Sequence, residues 1–195
     1  PHLHHGSQNL GSHRIGFDVR DEIAIHLDVL GTNHRPVLQA RGTGAKVVDL
    51  SNDLRPGSSE RAVPYGLPEL TRADVRGADL VANPGCYPTL VLLALAPLLR
   101  EGLIAPGATV NISAASGVTG AGFTPKHELL FGEVTEDFRA YGVGNTHRHL
   151  AEMRAMITRF GADVDLLFTP HLLPVARGIL ATITVPLVAM PADVL

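Results

Sequence analysis

At 195 residues the chain is long enough for one substantial core, or for one domain and part of a second. Its 45% hydrophobic and 18% charged residues describe an ordinary soluble globular protein, and its net charge of -3 excludes a basic footprint for nucleic acid or an anionic membrane. The single cysteine excludes an intrachain disulfide framework and fits a reducing compartment, so a cytoplasmic location is expected.

Residues 1–21 are polar and aperiodic, and five of the ten histidines (His2, His4, His5, His13 and His26) fall before residue 27. A disordered or tag-like segment is expected there in preference to a metal cluster. The segment has neither a signal-peptide layout nor a starting methionine, so the chain is expected not to begin where its gene does. Strands are predicted over "EIAIHLDVL" (22–30) and over "AKVVDL" (45–50), the latter an apolar run entered from Gly42 and Gly44 and left through polar "SND". "LPELTRADV" (67–75) predicts a short helix, and "ADLVAN" (78–83) a short buried strand stopped by Pro84.

The next stretch, "TLVLLALAPLLRE" from 89, is apolar nearly all round. Pro88 suits a first helical turn, and Gly102 after Arg100 is a C-cap signal. Such a helix is expected to be buried on most of its surface and kinked or frayed near Pro97, and it is too short to span a bilayer. "ATVNISAAS" (108–116) predicts a strand leading into the glycine loop "GVTGAG". "LAEMRAMITRF" (150–160) predicts a helix with Leu150, Met153 and Ile157 on one face, and "VDLLFT" (164–169) and "ILATITVPLV" (179–188) predict strands. Alternating strand and helix in the first half predict a parallel α/β sheet. The strand-rich second half reads as α+β, with the boundary close to Cys86.

The chemistry centres on Cys86 in "NPGCYPT" (83–89). With a helix beginning at Tyr87 or Pro88, the sulfur lies beside unpaired backbone N–H groups and the positive end of the dipole, where thiolate is favoured over thiol. The competing reading is a small buried structural cysteine. "THRHL" (146–150) offers His147 and His149 as general acid or base, or as loop residues ahead of a helix. No Cys, His or Asp partner stands at metal-binding spacing, so no metal is expected. "SGVTGAG" (116–122) follows a strand and could border an anion or cofactor, although it lacks the G-x-G-x-x-G order. Arg177 and Arg55 each stand at a strand end, suited to a carboxylate or phosphate or simply to the surface. His171 reads as a structural histidine.

In order along the chain, "KVVDLSNDLR", "YGLPEL", "LVANPGCYPT", "ISAASGVTGAG", "FRAYGVGNTHRHLAEM" and "FTPHLLPVARGILATITVPL" resemble the N-acetyl-γ-glutamyl-phosphate reductases of the semialdehyde dehydrogenase group, over residues 45–188. The resemblance implies a partial NADP-binding, Rossmann-like parallel sheet over 22–85. It implies an α+β catalytic, substrate and dimerisation domain over 86–195. The implied reaction, in arginine biosynthesis, reduces an acyl phosphate with NADPH: Cys86 expels phosphate and holds the acyl group as a thioester, and hydride then yields the semialdehyde. His147 is implied as the acid/base group. His149, Tyr141, Arg177, Gly178 and Arg55 are implied on the substrate side, and Ser116, Gly117 and Ser51 on the cofactor side. A homo-oligomer is implied as well, with no nucleic-acid or membrane partner. "HRH" and "YGLPEL" favour the glutamyl over the aspartyl substrate.

The departures are specific. No glycine-rich strand-to-helix turn precedes residue 45, "LDVLGTN" stands where a "LPHG"-like segment is expected, and Leu54 replaces the usual phenylalanine. The elements that complete the second domain are expected beyond "ATITVPL", so the chain reads as an internal piece of such an enzyme. The alternatives are a non-enzymatic remnant or oligomerising module of that family, or a cysteine hydrolase using Cys86 and His147.

Overall fold

The computed structural model describes residues 23–26, 45–122 and 126–188. The expectations for residues 1–21, for Gly42 and Gly44, and for the 22–30 strand outside residues 23–26 lie outside that set. The chain divides into two compact units. One gathers the chain up to Arg55 with Val63–Asn83, and the other Pro56–Ala62 with the chain from Pro84 onwards.

In the first unit, β1 (Ile23–His26), β2 (Lys46–Asp49) and β3 (Leu80–Ala82) form a three-stranded, wholly parallel sheet in that order. Val47 and Asp49 point inwards and Lys46 outwards, the alternation expected of a strand whose one face packs a core. That core is Val47, Leu54, Leu80 and Ala82, with Val63 against it. Leu54, at 2% exposure, fills its place without the ring expected there. Helix α1 (Pro68–Val75) opens on a proline, whose missing N–H costs nothing at a first turn. It departs from helical geometry at Thr71, whose hydroxyl donates to the Tyr65 and Leu67 carbonyls.

The second unit is built on a mixed sheet ordered β5-β6-β4-β7. Its central strands β4 (Ala108–Gly117) and β6 (Val164–Leu173) run parallel, and β5 (Arg139–Ala140) and β7 (Ile179–Thr184) flank them antiparallel. β4 alternates strictly: Val110, Ile112 and Ala114 are buried, while Thr109, Asn111 and Ser113 are exposed. Asn111 stands in register with Leu167 and Thr184, so one face of the sheet is open.

Two helices belong to this unit's core, α2 (Cys86–Arg100) and α4 (His149–Arg159), which pack on each other. A single turn, α3 (Phe131–Val134), precedes β5. Burial in α2 follows one stripe, Tyr87, Pro88, Val91, Leu92, Leu95 and Ala96, rather than the whole circumference. Leu93, Ala94 and Pro97 are exposed although apolar, because among the described residues the helix packs on one side only. The helix also runs through Pro97 to Arg100 instead of ending there. The hydrogen bond that proline removes belongs to Leu93, which is 37% exposed, so water can take that carbonyl. Met153, Met156 and Ile157 complete the α4 side of the core. No helix of the described residues is long and apolar enough to cross a membrane.

Candidate functional site

Cys86 is the first residue of α2, one position before the earlier of the two expected helix starts, Tyr87 and Pro88, and it is exposed. Gly85 in front of it is extended (φ -67°, ψ 158°), and two tethers hold that turn. The Gly85 carbonyl accepts from the Thr89 N–H at 3.0 Å and from the Thr89 hydroxyl at 2.8 Å. The Gly85 N–H donates at 3.0 Å to Oε1 of Glu152, a carboxylate with no solvent exposure. Glu152 lies on α4, one turn beyond His149, so the helix carrying the histidine also fixes the turn before the cysteine. Glu152 escaped the sequence reading; its i+3 spacing from His149 was the signal available.

The ring of Tyr87, beside Cys86, is the hub of the site. His147, His149 and Phe168 meet it edge-on, with centroids at 5.5, 6.0 and 5.0 Å. Its hydroxyl shares a hydrogen with the Tyr141 hydroxyl at 2.9 Å and is bonded to the Ser116 side chain. Burial above all pushes the Tyr87 phenol well above the usual tyrosine range. The Ser116 bond works the other way, and the Tyr141 contact adds to the rise. Tyr87 was missed because a tyrosine heading an apolar helix reads as core.

The two histidines lie 4.8 Å apart between ring centroids. Nδ1 of His147 accepts the backbone N–H of His149 at 3.1 Å, and the His147 carbonyl accepts that of Leu150 at 3.0 Å. His147 thus serves the orphan donors that begin α4, a task the Arg148 side chain leaves undone. Burial lowers the His147 pKa below the ordinary 6.5, and the Arg148 charge lowers it further. His149 is buried at 5% exposure.

At the end of β4 the glycine loop docks on the segment before β7. Gly117 N–H donates to the Gly178 carbonyl (3.0 Å), Val118 to Val175 (2.9 Å) and Thr119 to Ala176 (3.2 Å). A Cβ on Gly117 would meet Arg177 N at 2.7 Å and Ala176 C and O at 2.8 Å, so only glycine allows this approach. The junction seats exposed Arg177 and Gly178 (φ +106°) next to buried Ser116. His171, with Nδ1 3.3 Å from the Ala114 carbonyl, stacks on Phe138.

The second unit therefore brings Cys86, His147, His149, Tyr141 and Ser116 around one tyrosine, with Gly117, Arg177 and Gly178 at the adjoining junction. Ser51 and Arg55 belong to the first unit. The Ser51 hydroxyl donates to Asp49 (2.9 Å) and accepts from the Asp53 N–H (3.0 Å). Arg55, 6% exposed, donates from Nε to the Asn83 carbonyl at 2.9 Å and from a terminal nitrogen to Leu50 at 3.1 Å. Those two donors are engaged in holding the ends of β2 and β3.

A family model described as the dimerisation domain of semialdehyde dehydrogenase matches residues 86–194, the stretch that contains this constellation. The chain belongs to the semialdehyde dehydrogenase family. Among curated members it is similar to the N-acetyl-gamma-glutamyl-phosphate reductase of Desulforudis audaxviator, 49% identical over 157 residues. That match covers 72% of this chain and 45% of the relative, so the chain spans less than half the length of the curated relatives. Solved semialdehyde dehydrogenases share its fold. Aspartate semialdehyde dehydrogenase II of Vibrio cholerae, complexed with ASA, superposes with a TM-score of 0.61 at 17% identity, over 80% of this chain and 52% of that one. The Candida albicans aspartate semialdehyde dehydrogenase with NADP gives 0.53 at 14% identity, over 88% and 52%. The α/β reading, with a parallel first sheet and an α+β second part, holds for this member of the family.

Proposed function

We propose that this chain carries the acyl-transfer chemistry of an N-acetyl-γ-glutamyl-phosphate reductase of arginine biosynthesis, with Cys86 as nucleophile. The observation that carries the reading is the exposed Cys86 at the first residue of α2, beside a tyrosine packed by both histidines. The Cys86 thiolate attacks the acyl-phosphate carbonyl, its S–C bond forms, the C–O bond to phosphate breaks, and inorganic phosphate leaves. The thiol proton passes before attack to His147, the proposed acid/base group, with His149 proposed beside it on the substrate side. Arg177 and Tyr141 border the substrate, beside Gly178. Arg55, in the first unit, is proposed on the phosphate side because it matches the family's phosphate-side element.

NADP(H) is the proposed reductant; when bound, it supplies hydride to the thioester. Ser116 and Gly117 in the second unit, and Ser51 in the first, are each proposed as cofactor contacts. Among the described residues, however, no glycine-rich strand-to-helix turn holds a pyrophosphate, and the Gly117 N–H and Ser51 hydroxyl are engaged internally. These residues do not make a dinucleotide site by themselves, and no step is routed through the cofactor. A homo-oligomer is proposed through the dimerisation domain, in the cytoplasm; a clean monomer by light scattering contradicts the oligomer.

The test is to mix the chain with an N-acylglutamyl phosphate and follow phosphate release and intact mass. One equivalent of phosphate with a stable acyl adduct, both absent in C86S, is expected. Continuous turnover to the free acid without reductant identifies a hydrolase instead. No adduct overturns the reading.

A further inference from the structure

Between Tyr141 and His147 the chain makes a tight loop whose backbone is costly to hold. Gly142, Gly144 and Asn145 have φ of 57°, 77° and 61°, in the left-handed region that most side chains avoid and asparagine tolerates. Val143, inside the loop, is 62% exposed, so the tip gains little from burial. The Thr146 N–H donates to the Gly142 carbonyl and the Thr146 hydroxyl to the Val143 carbonyl, both at 3.3 Å, and these bonds stay within the loop.

The Asn145 side chain reaches out of it to the sheet. Its Nδ2 donates to the Leu166 carbonyl and its Oδ1 accepts the Phe168 N–H, both at 2.8 Å. Alternate residues of a strand turn their backbone groups to the same edge. The edge in question is where β5 pairs with Leu172 and where the Tyr141 N–H donates to the Pro170 carbonyl at 2.9 Å. One amide thus continues the ladder beyond the end of β5, past Phe168 to Leu166. Both a donor and an acceptor are required in one short group. A carboxylate would set an oxygen against the Leu166 carbonyl, and glycine would leave both β6 groups bare. Phe168, whose N–H is bound, packs its ring on Tyr87 and His147, with centroids at 5.0 and 5.5 Å.

We infer that Asn145 is a positioning residue, whose side-chain amide pins the loop to the edge of β6 and so fixes His147 beside Tyr87. Its part in catalysis rests on the acyl-transfer reading, in which His147 is the acid/base group. Asn145 and His147 stand just ahead of α4, which begins at His149. At the far end of the loop Tyr141 has tethers of its own, its N–H on Pro170 and its hydroxyl on Tyr87. Loss of the amide therefore frees the histidine end more than the tyrosine end. A proton moves only across hydrogen-bond distance, so displacing the imidazole costs rate rather than substrate binding.

Asn145→Gly is the discriminating variant. Glycine takes a φ of 61° without strain, so an Asn145 that served the backbone alone would be replaced without loss. The first measurement is the rate of Cys86 acylation against the concentration of an N-acylglutamyl phosphate. The saturating rate is expected to fall about 10- to 100-fold, with the half-saturating concentration little changed. Asn145→Asp keeps the acceptor and loses the donor, and its saturating rate is expected to fall as well. A saturating rate equal to the parent's in either variant, or a change confined to half-saturation, overturns the inference.

The second measurement needs no substrate: the His147 imidazole is titrated by ¹H–¹³C NMR, assigned with His147→Asn, in chains shown to be folded by far-UV circular dichroism. The ring is faced by Tyr87 from α2, Phe168 from β6, Tyr141 from the loop, and Arg148 and His149 at the start of α4. Burial first, and then the Arg148 charge, hold its pKa below 6.5 in the parent. Asn145→Gly is expected to move the midpoint up towards 6.5 as the ring gains water, and an unchanged midpoint in the folded variant overturns the inference. A parent that forms no acyl adduct defeats the acyl-transfer reading alone, and the titration then decides the positioning.

Discussion

Substituting Gly117 by alanine isolates the loop junction that seats Arg177. The backbone at Gly117 (φ -69°, ψ 159°) is one that alanine adopts freely. On backbone grounds alone, the substitution should stabilise the protein by about 0.4–1 kcal/mol through a less flexible unfolded chain. Sterically the opposite holds. The new methyl meets Arg177 N at 2.7 Å and two Ala176 backbone atoms at 2.8 Å, well inside the 3.4 Å of ordinary contact. Backbone cannot swing aside as a flexible side chain can, so the two segments must part. Overpacking of this kind costs about 1–3 kcal/mol. The Gly117–Gly178, Val118–Val175 and Thr119–Ala176 hydrogen bonds stretch with it, each contributing about 1 kcal/mol. The expected net effect is a loss of about 2 kcal/mol, read as a lower urea midpoint at unchanged slope by far-UV circular dichroism. The two effects oppose each other in sign, so the assay decides between them. A Gly117→Ala chain as stable as the parent, or more so, refutes the close approach.

Three further outcomes are expected. Glu152→Ala removes the acceptor for the Gly85 N–H and opens a cavity beneath α2, and should cost about 2–4 kcal/mol in urea unfolding. Glu152→Gln keeps a carbonyl oxygen there and should cost less; equal losses in the two mean that the tie to Gly85 contributes nothing. Tyr87→Phe breaks the hydroxyl link to Ser116 and Tyr141, at about 1 kcal/mol, and should delete from an alkaline titration a phenol that ionises above the ordinary tyrosine range. If the titration curve loses an ordinary phenol instead, the burial of that hydroxyl is refuted. For His147 the folded pKa lies below the unfolded 6.5, so the unfolded chain takes up the proton first. Its contribution to stability is complete above pH 6.5 and is lost as pH falls through the folded value. The parent chain should lose more stability than His147→Asn between neutral pH and the acid side of that window, checked by urea unfolding at each pH. Parallel losses contradict the assignment.

Local sequence was enough for the elements and for the neighbourhood of Cys86. The period-2 run of "ATVNISAAS", the proline–glycine punctuation around Cys86 and the 3.6-residue stripe of "LAEMRAMITRF" each carry their own backbone preference, so β4, the starts of α2 and α4 and the buried face of α4 were legible within a residue or two. The ordered motifs gave the family, because side chains that serve one reaction keep their sequence even when separated. Tertiary structure alone decided which residues meet. The wet side of α2 at Leu93 and Pro97 depends on how many partners the helix has, and its composition is silent on that. Glu152 is 67 residues from the Gly85 N–H it accepts, and Tyr87 is 54 from the Tyr141 hydroxyl it bonds; a contact at that separation leaves no periodic trace in the chain. The resemblance put the acid/base role on His147 and His149 beside it, but only the fold shows the His147 Nδ1 accepting the backbone N–H that begins α4. Sequence chose the chemical groups; packing chose which of them meet.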